Sequence, residues 1–245
     1  MHVIQGMNFI SNLYVSDIII NDVLKVSFNS KESAPLFSDQ NVIFIAGFAG
    51  SGKSTLIKRL LENLTNFTEI PERRIITFKG IIEPYTSYFN LPCDFNKREE
   101  RINIVKNYKK DIPEGIVYVL KHIRITKNIS ANFIFDGIRG EEELKNVLKT
   151  FKKAKIIILN TSKKVRLQRI IERKDPFDQI NSITNNSAES VVENDFKLHG
   201  NFKNHKSEKI LDINTDNMDQ DEVYLTAYNW IIKKKNYERL NNEKC

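Results

Sequence analysis

The chain has few cysteines and no long apolar run. Its two cysteines, Cys93 and Cys245, lie far apart, and this spacing predicts neither a disulfide framework nor a zinc site. No window approaches the roughly 18 apolar residues that a membrane-spanning helix needs. Residues 1–10 lack the basic start of a secretion signal, and Asp17 and Asp22 interrupt the apolar run that follows. These absences predict a protein of the reducing cytoplasm without membrane attachment.

Composition and charge are those of an ordinary globular protein. Apolar residues make up 40% of the 245 residues and charged residues 28%, which suits one α/β domain with elaborations. Lysine and arginine outnumber aspartate and glutamate by 38 to 31, a formal charge of +7 that suits phosphorylated ligands or nucleic acid. The basic residues are scattered in short clusters, at 152–153, 163–164 and 233–235. Solvated helix faces explain such scatter better than a nucleic-acid-binding stripe, so a nucleic-acid partner stays open but is not favoured.

One stretch fits the pattern G-x-x-x-x-G-K-[ST], and both of its flanks fit as well. It consists of Gly47, Phe48, Ala49, Gly50, Ser51, Gly52, Lys53, Ser54 and Thr55. A short apolar run rich in β-branched residues, 41–46, precedes it, and residues 56–64 follow with apolar side chains at helical spacing. Strand, glycine loop and helix in this order predict a phosphate-binding loop, or P-loop.

Each residue type in this loop has a chemical use. Glycines without Cβ let the backbone approach a phosphate closely, and the loop N–H groups and the helix N-terminus then bind the anion. Lys53 can reach the β- and γ-phosphates, and the Ser54 hydroxyl can ligate Mg²⁺. The sequence therefore predicts ATP and Mg²⁺ as cofactors, with the residues from Gly47 to Thr55 binding the nucleotide.

An acid and an arginine follow a later apolar strand. Residues 132–137 form an apolar run that ends in Asp136, the arrangement in which a carboxylate supports Mg²⁺ directly or through water. Arg139 comes three positions later, and its planar guanidinium suits a phosphate or a carboxylate. We predict that Asp136 is a metal ligand and that Arg139 binds the substrate.

Two further substrate-binding candidates follow a run that we interpret as a second strand, residues 73–78. Ligands bind beyond the carboxyl ends of strands in open parallel sheets, which makes Lys79 and Glu83 candidates, with Tyr85 nearby. An ordinary surface loop explains the same residues equally well.

Basic residues recur along a predicted helix at 163–174. Arg169 and Arg173 are four positions apart and share one face just before Pro176. We interpret them as catalytic residues of a lid, at about 163–207, that brings positive charge to a transferring phosphoryl group, with a plain solvated face as the alternative. His199 and His205 have no partners at metal-binding spacing and are interpreted as surface residues.

Five predicted strands alternate with helices from residue 41 onward. They are residues 41–46, 73–78, 132–137, 155–159 and 209–213. Such alternation implies an α/β fold, here a P-loop NTPase three-layer α/β/α sandwich with a five-stranded parallel sheet and a short helical lid. We expect residues 1–40 to form an extension with a β-hairpin, 41–235 to form the main domain, and 236–245 to be a polar tail.

In this order the motifs resemble those of the P-loop kinases of small metabolites, namely the nucleoside-monophosphate and dephospho-coenzyme A kinases. The resemblance spans about residues 41–235. It rests on the P-loop, on residues 135–139, on the arginine helix and on the turn at 211–217. It implies a metal-supporting Asp136, an acceptor-binding Arg139 and a lid carrying Arg169 and Arg173. The chain departs from the D-G-x-P-R pattern of adenylate kinases by lacking its proline, and residues 79–130 match no substrate signature.

Three functions are compatible with the sequence. The favoured one is ATP-dependent, Mg²⁺-requiring phosphoryl transfer to a small molecule, a nucleotide or a nucleotide-like metabolite above all. The second is a P-loop ATPase switch acting on a protein partner. The sequence lacks an L-S-G-G-Q signature and an N-K-x-D guanine reader, which argues against a transporter ATPase and an ordinary GTPase. The third is a kinase acting on nucleic-acid ends, suggested by the positive charge. The oligomeric state is left open.

Overall fold

The computed structural model describes most of the chain. The described residues are 13–14, 16–29, 33–127, 132–173, 189, 192–193, 202, 205 and 207–242. Much of the predicted lid, including residues 174–188, and His199 lie outside them.

Eight strands are described in two sheets. They are β1 Ile18–Ile19, β2 Leu24–Val26, β3 Asn41–Ala46, β4 Thr68–Glu69, β5 Ile123–Ile125, β6 Asn132–Ile138, β7 Lys155–Asn160 and β8 Ile210–Asn214. Strands β1, β2 and β5 form an antiparallel sheet in that order. The other five form a parallel sheet in the order β4-β6-β3-β7-β8. The predicted α/β class and five-stranded parallel sheet are confirmed.

The helices follow the strands closely in the sequence. They are α1 Lys53–Asn63, α2 Arg73–Thr77, α3 Glu83–Phe89, α4 Arg98–Asp111, α5 Ile116–Lys121, α6 Glu141–Thr150, α7 Lys163–Arg173 and α8 Gln220–Asn242. The last of these extends beyond the prediction, since its backbone stays helical to Asn242 where the sequence suggested a polar tail from 236. Among the described residues, no helix is both long and apolar enough to cross a membrane.

The chain divides into two compact units. The first comprises Met1–Val42, Ile70–Phe135 and Glu142–Ala154, and the second comprises Ile43–Glu69, Asp136–Glu141 and Lys155–Cys245. The predicted N-terminal hairpin, β1 and β2, is present in the first unit. It gains a third strand, β5, that the sequence did not predict, and Leu24 to Val26 pair with Ile125 to Ile123.

The strand predicted at residues 73–78 is wrong, because this segment is helical. Helix α2 continues through a π-helical turn, Phe78–Ile82, into α3. Ile76, Gly80 and Tyr85 are buried along it, and this spacing of four and five residues is helical rather than alternating. The fifth strand of the parallel sheet is instead β4, a two-residue strand.

A proline and a distant tyrosine explain the hydrogen bonding of this helical segment. In a regular α-helix the N–H of residue 84 would donate to the carbonyl of Gly80, but Pro84 has no N–H. The Tyr14 hydroxyl donates to the Gly80 carbonyl instead, at 2.8 Å, and lies 3.0 Å from the Tyr108 hydroxyl. Burial raises the pKa of both hydroxyls well above the usual range, so both remain protonated and able to donate.

A buried carboxylate connects two helices to α6 in the first unit. The side chain of Glu143 is 2% exposed and accepts two hydrogen bonds of 2.7 Å from the guanidinium of Arg73. The ammonium of Lys109 lies 3.5 Å from the same carboxylate. This two-pronged geometry is the strong form of a charged hydrogen bond, so Glu143 holds α2 and α4 against α6.

Candidate nucleotide-binding site

The P-loop connects β3 to α1 in the second unit, as predicted. Gly47 follows the last residue of β3, and its N–H donates to the carbonyl of Ile138 at 3.2 Å. This bond brings the end of β6 against the start of the loop. Gly50 has φ of +78°, a conformation that other residues rarely adopt, and a Cβ there would lie 2.7 Å from the backbone oxygen of Arg166. The loop therefore needs glycine at this position both for its backbone conformation and for its contact with α7.

Three predicted site residues converge at this loop. The Lys53 side chain is only 9% exposed, and its ammonium donates to the Phe48 carbonyl at 3.1 Å and lies 3.9 Å from Asp136 Oδ1. The Ser54 hydroxyl donates a long hydrogen bond of 3.5 Å to Asp136 Oδ2. A cation, a hydroxyl and a carboxylate from the ends of β3 and β6 thus share one place, as the sequence predicted.

The residues present fit a nucleotide-bound Mg²⁺. The Ser54 hydroxyl and the Asp136 carboxylate are hard oxygen donors that lie within hydrogen-bonding distance of each other. In the part of the chain that the structure describes, no group of three or more His, Cys, Asp or Glu side chains could hold a metal by itself. Mg²⁺ in phosphoryl-transfer sites uses one or two protein ligands plus substrate phosphates, so the donor set here suits a metal that arrives with a nucleotide.

The two predicted lid arginines differ in what can be said of them. The guanidinium of Arg169 donates to Thr215 Oγ1 at 3.2 Å and to the Thr215 carbonyl at 3.0 Å. The N–H of Thr215 in turn donates to the carbonyl of Asn160, at the end of β7. Arg169 therefore ties α7 to the turn that follows β8. Arg173 is the last residue of α7, and its side chain lies outside the described residues.

The predicted substrate-binding residues fall in different units. Arg139 follows β6 in the second unit, beside Asp136 in the sequence, and is half-buried. Lys79 and Glu83 belong to the first unit, on the helical segment that replaces the predicted strand. The ammonium of Lys79 donates to the carbonyls of Ile19 and Ile20, at 3.3 and 3.0 Å. The strand end that suggested Lys79 and Glu83 is absent, so their binding role stays a prediction.

Sequence reasoning gave no role to two residues that lie close to this site. Arg166 is 4% exposed, and its guanidinium carbon lies 4.9 Å above the ring of Phe48, in the P-loop. Its position three residues before Arg169 was the available signal, since residues three apart share a helix face. His205, interpreted as a surface residue, has its Nε2 at 2.8 Å from the Glu141 carboxylate, at the start of α6.

Comparison with known families agrees with the P-loop geometry. A family model described as an AAA domain matches residues 43–193, more than half of the chain. The chain belongs to this family. The match begins in β3 and includes the P-loop, Asp136 and α7, so the described parts of the AAA domain contain every residue placed at the site above.

Solved structures similar to this AAA-domain protein include several kinases. A gluconokinase from Sinorhizobium meliloti 1021 is 10% identical, with a TM-score of 0.43, and the match covers 84% of this chain and 99% of that one. A shikimate kinase from Acinetobacter baumannii is 16% identical, with a TM-score of 0.43 and coverage of 81% and 97%. These low scores establish neither activity nor substrate for this chain. No curated protein matches its sequence.

Two glycine substitutions in the AAA domain separate backbone strain from crowding. Gly50 and Gly52 both have positive φ, +78° and +93°, but a Cβ at Gly52 meets nothing within 4 Å. We expect Gly52→Ala to cost about 1–2 kcal/mol of stability from backbone strain alone. Gly50→Ala should cost about 1–3 kcal/mol more, because its Cβ collides with the backbone of α7. Urea unfolding of both variants without ligand measures the difference, and equal losses would contradict a tight contact between Gly50 and α7.

Proposed function

We propose that this protein catalyses ATP-dependent, Mg²⁺-requiring phosphoryl transfer to a small-molecule acceptor, a nucleotide or a nucleotide-like metabolite in the first instance. The observation that carries the proposal is the convergence of Lys53 and Ser54 on Asp136 beside the P-loop. Phosphoryl transfer depends chiefly on positioning and charge neutralisation, and these three side chains are the types that supply both. The resemblance to nucleoside-monophosphate and dephospho-coenzyme A kinases suggests the acceptor class.

The roles of the chain's own residues follow from this geometry. The loop N–H groups and the Lys53 ammonium bind the β- and γ-phosphates, while Ser54 and Asp136 hold Mg²⁺. The metal, when bound, neutralises charge on the phosphate oxygens. Lys53 exchanges its contact with the Phe48 carbonyl for phosphate oxygens as the nucleotide enters. The ammonium thus lies close to its working place before ATP binds, which lowers the cost of organising the site.

The acceptor-binding residues are proposals that rest on weaker support. Arg139 follows Asp136 closely in the chain, and its guanidinium suits an acceptor phosphate or carboxylate. Lys79 and Glu83 both line a cleft of about 330 Å³ in the first unit, together with Ser16, Ser87 and Tyr88. This volume falls at the small end of the range for ligand pockets. An ammonium, a carboxylate, two hydroxyls and an aromatic ring suit a small polar molecule.

Coupled measurement of ADP release tests the proposed function directly. Purified protein with ATP and Mg²⁺ is assayed alone and with a pool of nucleoside monophosphates, dephospho-coenzyme A and short RNA. We expect ADP release that depends on one of the small molecules, and division of the pool then identifies the acceptor. The Lys53→Ala variant, purified in parallel, controls for contaminating kinases.

The other outcomes support the alternative functions. ADP that appears equally without any acceptor would support an ATPase acting on a protein partner. ADP release that requires RNA, with an affinity that falls steeply as salt rises, would support a kinase of nucleic-acid ends, because phosphate contacts release counterions. Background ADP under every condition would refute the proposed kinase activity.

A further inference from the structure

Arg166 contacts the P-loop more closely than any role assigned to it above explains. Its guanidinium carbon lies 4.9 Å above the ring of Phe48, a distance typical of a cation–π contact. Its backbone oxygen is the atom that a Cβ at Gly50 would meet at 2.7 Å. The first turns of α7 therefore lie directly against the middle of the P-loop.

Apolar packing fixes this contact from the far side of Arg166. Ile170, one turn further along α7, is buried together with Val192, and Ala49 of the P-loop packs against this pair. Ile170 also lies 3.1 Å from the position of a Cβ at Gly50. Helix α7 thus contacts three consecutive loop residues, Phe48 to Gly50, and cannot shift without moving the loop.

Two cations converge on one residue of the loop. The Lys53 ammonium donates to the Phe48 carbonyl, and the Arg166 guanidinium covers the Phe48 ring. Lys53 is the residue that reaches the β- and γ-phosphates in a P-loop site. A guanidinium held on the same loop residue, and itself 4% exposed, presents fixed positive charge beside that place. Shielding from water strengthens such a charge toward a phosphate.

We propose that Arg166 contacts the γ-phosphate of the bound nucleotide and stabilises the negative charge on its oxygens during transfer. This inference rests on the proposed function for its catalytic part and on nucleotide binding alone for its contact part. Arg169, which sequence reasoning favoured, has its guanidinium engaged by the oxygens of Thr215. Arg169 is accordingly a positioning residue for α7 and the turn after β8.

Comparison of ATP with ADP distinguishes a γ-phosphate contact from a structural role. We expect Arg166→Lys to weaken Mg²⁺–ATP binding about tenfold relative to Mg²⁺–ADP binding in calorimetric titrations, because only ATP carries the γ-phosphate. Turnover with the acceptor found above should fall about 10²-fold, the typical loss of one transition-state donor. Arg169→Lys is the matched control on the same helix, and it should leave the ratio of ATP to ADP affinity unchanged.

Each result decides the inference. An unchanged affinity ratio in Arg166→Lys, or an equal change in Arg169→Lys, would overturn the assignment of Arg166. If Arg166→Lys does not fold, Phe48→Leu removes the aromatic face under the guanidinium, and the same ratio must fall for the assignment to stand. The titrations need no turnover. A wild-type protein that binds ATP but transfers nothing would therefore refute the proposed function while still testing the contact of Arg166.

Discussion

Lys53→Ala is expected to reduce acceptor-dependent ADP release by about 10²–10³-fold, the range seen when one preorganised donor to a developing charge is removed. The Lys53 ammonium is nearly buried between the Phe48 carbonyl and Asp136, so the variant loses the one cation that α1 places in the site. Initial rates at saturating ATP measure the loss.

Lys58→Ala is the matched control, since Lys58 lies on the exposed face of the same helix. We expect its rate to equal that of the wild type. Circular dichroism of Lys53→Ala should match the wild-type spectrum, because the substitution removes no apolar packing from the core. A turnover number within twofold of the wild type in Lys53→Ala would refute the role assigned to this residue.

Glu143→Gln is expected to cause the largest loss of stability among single substitutions in the first unit. Neutralising this 2%-exposed carboxylate leaves Arg73 and Lys109 without their shared counter-charge. Breaking a buried ion pair by removing one partner costs about 3–5 kcal/mol, and the partial exposure of both cations places the loss near the lower figure. A loss of about 3 kcal/mol corresponds to a fall in Tm of roughly 6–12 °C for a chain of this size.

Glu142→Gln provides the control for this substitution. Glu142 is the preceding residue of α6 and is exposed, so its neutralisation removes the same charge without burying an unpaired group. We expect its Tm to stay within about 1 °C of the wild type, as for ordinary surface changes. Equal Tm values for the two variants would show that the Arg73–Glu143 pair does not stabilise the fold.

The sequence predicted best where local pattern and chemistry agree. The P-loop, β6 ending at Asp136 and the helix α7 were each predicted within two residues, because a glycine motif or a long periodic run specifies them locally. The meeting of Lys53, Ser54 and Asp136 could also be predicted, since the carboxyl ends of neighbouring parallel strands lie at one edge of a sheet.

The failures came from segments too short to show a period. Residues 73–78 contain Ile75, Ile76 and Thr77, whose β-branched side chains favour strands, and six residues cannot distinguish alternation from helical spacing. Only the burial of Gly80 and Tyr85 further along shows the helix. The role of Arg169 was misjudged for a different reason, because its partner Thr215 is 46 residues away and no local pattern predicts such a contact.

The hydrogen bond from Tyr14 to Gly80 has a consequence for the order of folding. The two residues are separated by 66 positions, and the donor belongs to the part of the chain that a ribosome makes first. At about 5–20 residues per second, Tyr14 waits roughly 3–13 s before its partner is synthesised. During that interval the N-terminal segment has no helix to complete, and the carbonyl left without a donor by Pro84 is satisfied only when this early segment returns to it.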